Sequence, residues 1–200
     1  MTEHYYSKSP ETKSAREAWT FVWDGHKLRF TVDRGVFSRN EVDFGSRTLL
    51  ESFEAPSVEG DILDLGCGYG PIGISLGKVI PNRNITMVDI NERAVELAKE
   101  NAANNQVYNV DILQSDSFEA IEGRTFAAVL TNPPIRAGKH VVHSFIEQSY
   151  HSLLDHGELW VVIQKKQGAP SAQKKMNELF GEVEVVTKNK GYYILRGKKV

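Results

Sequence analysis

Apolar positions change their period along this 200-residue chain, and the changes divide it into elements. Two apolar-rich runs, 18–23 and 27–32, flank Asp24-Gly25, and the second alternates Leu28, Phe30 and Val32. Asp-Gly accepts the positive φ angles of a two-residue turn at little cost, so this pattern predicts an N-terminal β-hairpin. A polar loop (33–42) and an amphipathic helical stretch (43–53) follow. From Asp61 onward, short apolar runs at 62–65, 85–89, 110–113, 126–130 and 159–163 alternate with helical patterns near 71–79, 92–104, 140–154 and 171–180. Strands that are apolar throughout and alternate with helices predict βαβ units, hence a parallel sheet covered on both faces. The last two runs, 183–187 and 192–196, are joined by Lys188-Asn189-Lys190-Gly191 alone. Too short for a parallel crossover, that link requires an antiparallel hairpin. The expected architecture is one α/β domain: a hairpin-and-loop extension over 1–42 and a mostly parallel core over 43–200.

Composition narrows the class. Hydrophobic residues make up 40% of the chain and charged residues 25%, enough for a full core. No apolar run approaches the roughly 18 residues that a membrane-spanning helix needs. The first eight residues contain no basic stretch leading into an apolar one, so no secretory signal is expected and a cytoplasmic location is. The one cysteine, Cys67, excludes an internal disulfide and a cysteine-based metal cage. Charge is divided unevenly: 41–64 holds seven acidic residues against Arg47, whereas 165–200 holds nine Lys and Arg against three Glu. That basic last third suits an anionic partner.

Four segments carry the candidate chemistry, each just after a predicted strand, at the edge where open α/β sheets bind ligands. In Asp64-Leu65-Gly66-Cys67-Gly68-Tyr69-Gly70-Pro71-Ile72-Gly73, the glycines let backbone approach a ligand closely. Gly68, Gly70 and Gly73 satisfy the dinucleotide fingerprint literally, which keeps a dehydrogenase open. Asp64, ahead of the glycines, suits a cationic or amino-bearing ligand better than a pyrophosphate. Asp89, 25 residues further on, ends the next strand where a carboxylate can take two ribose hydroxyls, although as Asp89-Ile90-Asn91 it can also open a helix. Gln114-Ser115-Asp116-Ser117-Phe118 offers Asp116 to an exocyclic amine, or is a plain turn. Thr131-Asn132-Pro133-Pro134-Ile135 removes two N–H donors and leaves carbonyl acceptors beside the Asn132 amide, an acceptor pocket for an NH2 group.

Together, DLGCGYG, Asp89, SDSF and NPPI resemble the class I S-adenosylmethionine-dependent methyltransferases that act on planar amino groups. Within them, the Arg34-Gly35-Val36-Phe37-Ser38 loop and Asp43-Phe44-Gly45-Ser46 are similar to the small-subunit ribosomal RNA guanine-N2 methyltransferases. The resemblance implies a Rossmann-like seven-stranded sheet with its last strand antiparallel. It implies S-adenosylmethionine as cofactor, held by Asp64, Gly66, Cys67, Gly68, Gly70, Asp89, Ile90, Asp116, Ser117 and Asn132. It also implies ribosomal RNA or the small ribosomal subunit as partner. Asn132 and Pro133 would be catalytic, accepting hydrogen bonds from the target amine, and no metal is implied. Related enzymes often place an aromatic residue after the prolines to stack on the target base. Here Ile135 stands there, so stacking would have to come from elsewhere, with Phe37 a candidate. Arg34, Arg136 and Lys139, with Arg39 and His140, would meet phosphates at the mouth. Longer ribosomal RNA members carry a second, N-terminal copy of the fold that is not among these 200 residues. A protein glutamine methylase of the same fold, a non-catalytic cofactor-binding module and a dehydrogenase stay open. If acceptance of the amine protons is what Asn132 does, an Asp in its place should retain more activity than Ala.

Overall fold

The computed structural model describes residues 8, 13–36 and 41–200. Seven strands form one sheet in the order β5-β4-β3-β6-β7-β9-β8. They are β3 (Ile62–Leu65), β4 (Ile85–Asp89), β5 (Val110–Gln114), β6 (Phe126–Thr131), β7 (Leu153–Gln164), β8 (Val183–Asn189) and β9 (Tyr192–Lys198). The first five run parallel, while β9 is antiparallel to both β7 and β8. Strand order reverses between β3 and β6. Their C-terminal ends, tied by the Thr131 hydroxyl donating to the Leu65 carbonyl (2.8 Å), form the crevice in which such sheets bind ligands.

Helices cover both faces, as the all-apolar strands require. Helices α1 (Phe44–Ser52), α2 (Pro71–Val79) and α3 (Glu92–Asn104) pack with Ile62, Met87, Leu130, Trp160 and Ile194 on one side. On the other, α4 (Lys139–Ser152) and α5 (Ala169–Phe180) pack with Leu63, Val129, Val161 and Leu195. Alternate strand residues thus enter opposite cores.

Both hairpins turn on two residues of positive φ. β1 (Glu17–Trp23) and β2 (His26–Val32) are joined by Asp24 and Gly25 (φ 47° and 75°). β8 and β9 are joined by Lys190 and Gly191 (φ 46° and 82°). The four-residue link read from the sequence is therefore shorter, because Lys188 and Asn189 pair with Tyr193 and Tyr192 and extend the ladder. The other departure is in β7, which begins at Leu153 rather than 159, where the expected helix was still running.

The first hairpin forms a separate sheet held against α3 by two side-chain amides. Asn101 accepts from the Thr31 N–H and donates to the Thr31 and Tyr69 carbonyls, and Asn105 accepts from the Arg29 N–H and donates to its carbonyl. These bonds imitate a neighbouring strand for the hairpin edge. The Asn101 bond to Tyr69 fixes the glycine loop from behind.

Candidate active site

The loop from β3 to α2 is closed on itself by backbone bonds. The Gly66 and Cys67 N–H groups both donate to the Val88 carbonyl (2.9 Å each), and the Gly70 N–H donates to the Cys67 carbonyl (3.0 Å). Gly68 (φ 57°) gives its N–H to Asp89 Oδ2 (2.8 Å), and a Cβ there would meet nothing within 4 Å. Asp89 Oδ1 accepts from the Asn91 N–H (2.8 Å). Each carboxylate oxygen keeps a lone pair, so Asp89 presents two acceptors side by side at the end of β4. Burial pushes its pKa up, against the Asn91, Gly68 and Ile90 N–H groups that favour its charged form.

This wiring argues against a pyrophosphate. Anion-binding helix N-termini work through free N–H groups. At the start of α2, Pro71 has none, and Gly73 donates to Asp64 Oδ2 (2.8 Å). Asp64 is 1% exposed, and its Oδ1 has no partner. Burial, with the Asp89 charge adding to it, pushes its pKa up to about 7 against the Gly73 N–H. With these donors absent or already used and Asp89 presenting two acceptors, the edge suits the diol of a nucleoside better than a pyrophosphate. The dehydrogenase reading of Gly68, Gly70 and Gly73 thereby loses its physical basis. Gly73 instead lets α2 approach β4, since a Cβ would fall 2.6 Å from Met87 Sδ. The Cys67 thiol, pushed well up by burial and then by Asp64 and Asp89, stays protonated and is no nucleophile.

The far half of the cavity is built from side chains. Asn132, at the end of β6, donates through Nδ2 to Asp43 Oδ1 (3.1 Å) and to Ser46 Oγ (3.1 Å). A carboxylate has no proton to give, so the amide nitrogen must face Asp43, and Asn132 Oδ1 is left as the accepting end. Asp43 Oδ1 also accepts from the Ser46 N–H (3.0 Å), capping α1. One carboxylate thus starts a helix and orients the amide.

Of the residues expected in the site, Gly66, Cys67, Gly68, Asp89, Ile90, Ser117, Asn132, Pro133, Ile135 and Arg136 line this cavity. Asp64, Gly70, Asp116, Arg34 and Lys139 do not: Asp64 lies beneath the loop, and Asp116 sits between the lining residues Ser115 and Ser117. Arg34 and Lys139 are exposed beyond the cavity, as is His140. Phe37 and Arg39 lie outside the described residues. Sequence reasoning did not single out Asp43 and Ser46 as site residues, nor Tyr192, Gln164 and Gln167, which also line the cavity. An N-cap signature was readable at Asp43. Its bond to an amide 89 positions away was not.

The family model described as "Methyltransferase small domain" matches residues 27–196. The chain belongs to this family. It is 59% identical over 201 residues to the protein YbxB of Bacillus subtilis (strain 168), covering all of both chains. It is 30% identical over 187 residues to ribosomal RNA small subunit methyltransferase C of Vibrio cholerae, covering 92% of this chain and 53% of that protein. The structure of the T. thermophilus 16S rRNA N2 methyltransferase RsmC, in complex with AdoMet and guanosine, superposes with a TM-score of 0.83. Its sequence identity is 26%, over 96% of this chain and 52% of that one. The chain therefore spans about half the length of these two ribosomal RNA methyltransferases. Among the described residues, no helix is long and apolar enough to cross a membrane, and no cluster of His, Cys, Asp and Glu could hold a metal ion.

Proposed function

We propose that this methyltransferase uses S-adenosylmethionine to methylate an exocyclic amino group of ribosomal RNA, guanine N2 being the group the site suits best. The observation that carries the reading is the clasped Asn132: an amide with both N–H bonds turned toward α1 and its oxygen left to accept, at one end of a cavity whose other end offers a diol-binding carboxylate. The complex of the related RsmC with AdoMet and guanosine supports it.

The residues present fit the cofactor. Asp89 has two acceptors for the ribose hydroxyls, Gly68 leaves open space beside them, and Ser115 and Ser117 border the same end. When bound, S-adenosylmethionine supplies a methyl group already activated on a sulfonium. What the protein adds is position and preorganised dipoles. A guanine amine shares its lone pair with the ring and is a weak nucleophile in that plane. Asn132 Oδ1 and the Pro133 carbonyl accept its two N–H bonds, hold it in place and favour a more tetrahedral nitrogen, on which the lone pair is localised. Asp43 strengthens this acceptor, because an anion at the amide N–H draws charge onto the amide oxygen. No side chain has to remove a proton first, and Cys67 and Asp64 have no part in the chemistry.

Incubation of the protein with methyl-tritiated S-adenosylmethionine tests this, with undermethylated small subunits, unmodified ribosomal RNA transcript and total protein in parallel. Label on an RNA guanine supports the reading. Label on protein alone would transfer the same site to a glutamine amide, and no label anywhere would leave a cofactor-binding module.

A further inference from the structure

We infer that the β8–β9 hairpin end is the wall that receives the substrate: Tyr192 stacks on the target base, and Lys165, Lys166, Lys188 and Lys190 take phosphates of the flanking single strand. The inference rests on the ribosomal RNA reading above.

The NPPI segment ends in Ile135, so the usual aromatic after the prolines is missing. Three aromatic side chains line the cavity among the described residues: Tyr69, Phe145 and Tyr192. Two of them are committed elsewhere. Tyr69 is 2% exposed and meets Trp19 and Phe30 edge-on at 5.7 and 5.8 Å, and Phe145 is 4% exposed within the α4 core. Tyr192 alone of the three is only half-buried.

Its position follows from Gly45. A Cβ there would lie 2.8 Å from Tyr192 Cε1 and 3.1 Å from Asp43 Oδ1. The ring therefore rests directly on the start of α1, beside the carboxylate that holds Asn132. A flat base whose amine reaches Asn132 Oδ1 has this ring within reach, whereas a glutamine side chain has no extended face to stack.

The same hairpin end carries unpaired positive charge. The Lys165 N–H donates to the Gly191 carbonyl (2.8 Å), which sets the turn after β7 against the β8–β9 turn. Lys190 Nζ lies 4.9 Å over the Phe44 ring, itself 5.5 Å from Tyr192, and Lys188 Nζ lies 5.0 Å over Tyr193. All four lysines are exposed, and none makes an ion pair among the described residues. Gln164 and Gln167, between them and the cavity, add polar groups to the same rim. An aromatic face bordered by lysines is how proteins grip an unstacked base and its backbone. It also gives the basic last third of the chain a place at the site.

The test uses the full chain on unmodified ribosomal RNA transcript, with S-adenosylhomocysteine calorimetry as the check on fold and cofactor site. Tyr192→Ala should lower methylation efficiency roughly 5- to 150-fold with S-adenosylhomocysteine binding retained, and Tyr192→Phe should recover most of the loss. Lys188→Glu with Lys190→Glu should flatten the plot of log affinity for the transcript against log salt, by about 0.7 for each phosphate no longer neutralised. Wild-type efficiency in Tyr192→Ala would overturn the stacking role, and an unchanged salt slope would overturn the lysine rim. Failure of the underlying RNA reading looks different: the wild-type protein itself would leave both the transcript and undermethylated small subunits unlabelled.

Discussion

The two halves of the cavity are made of different materials. The cofactor half is largely a local construction: β3, its loop, α2 and the turn after β4 supply most of it from 28 consecutive positions, 64–91, with Ser115 and Ser117 at its border, and backbone N–H groups fix its carboxylates. The acceptor half is assembled from three distant stretches: side-chain bonds join the start of α1 to the end of β6, and the start of β9 adds the Tyr192 ring packed against Gly45. Backbone wiring holds the cofactor-binding groups in place and sets affinity. Side-chain wiring is adjustable, and there a single replacement changes chemistry or specificity.

Asn132→Ala breaks the contrast most sharply, with single-turnover rates expected to fall roughly 10²–10³-fold while cofactor affinity stays within a few-fold. Asn132→Asp keeps an acceptor, which on sequence grounds should rescue activity. The structure reverses that expectation, because the new carboxylate would replace an amide 3.1 Å from Asp43 Oδ1 and be repelled by it. Rates no better than those of the Ala variant are expected.

Asp64 sharpens the other side of the comparison, through stability. Its carboxyl titrates near 7 in the folded protein and near 3.8 when unfolded. The folded state is therefore the better proton binder: its advantage is complete below the unfolded value, declines as pH rises between the two, and is gone above the folded one. Asp64→Asn, which mimics the protonated form, should gain on wild type by about 1.4 kcal/mol for each pH unit crossed in that interval. Urea melts of the cofactor-free protein at pH 5 and pH 8 would show it, and a constant gap would contradict it.

Asp89→Ala removes two hydrogen bonds to a charged acceptor, roughly 1.5–3 kcal/mol each, so cofactor affinity by calorimetry should drop at least about tenfold while Asn132 chemistry survives at saturation. The smallest effect belongs to Ser46→Ala. It takes one of two acceptors from the Asn132 amide and leaves Asp43 in place, so turnover should fall only by about the factor of five that one neutral hydrogen bond carries.

Legibility in the sequence followed the same division. α2 and α3 occupy the stretches their periodicity indicated, and the first hairpin turns at Asp24-Gly25 as expected. Glycine loop, spaced aspartate and NPPI were readable because each is contiguous. What escaped was direction and distance. Asp64 and Asp116 belong to the right segments, yet strand alternation turns Asp64 under α2, and Asp116 falls between two lining serines. The partners of Asn132 lie 86 and 89 positions away, a separation that no local pattern encodes. The extension of β8 through Lys188 and Asn189 was hidden by their polarity, which an exposed strand end permits.

The double duty of Asp43 has a thermal consequence. Helix α1 is nine residues long, too short to persist in water without its cap and its packing. Any fraying of its first turn withdraws the carboxylate from Asn132 while the sheet and the cofactor half remain intact. Rate and fold should then part company on heating: turnover declines over a range in which circular dichroism still reports the native sheet.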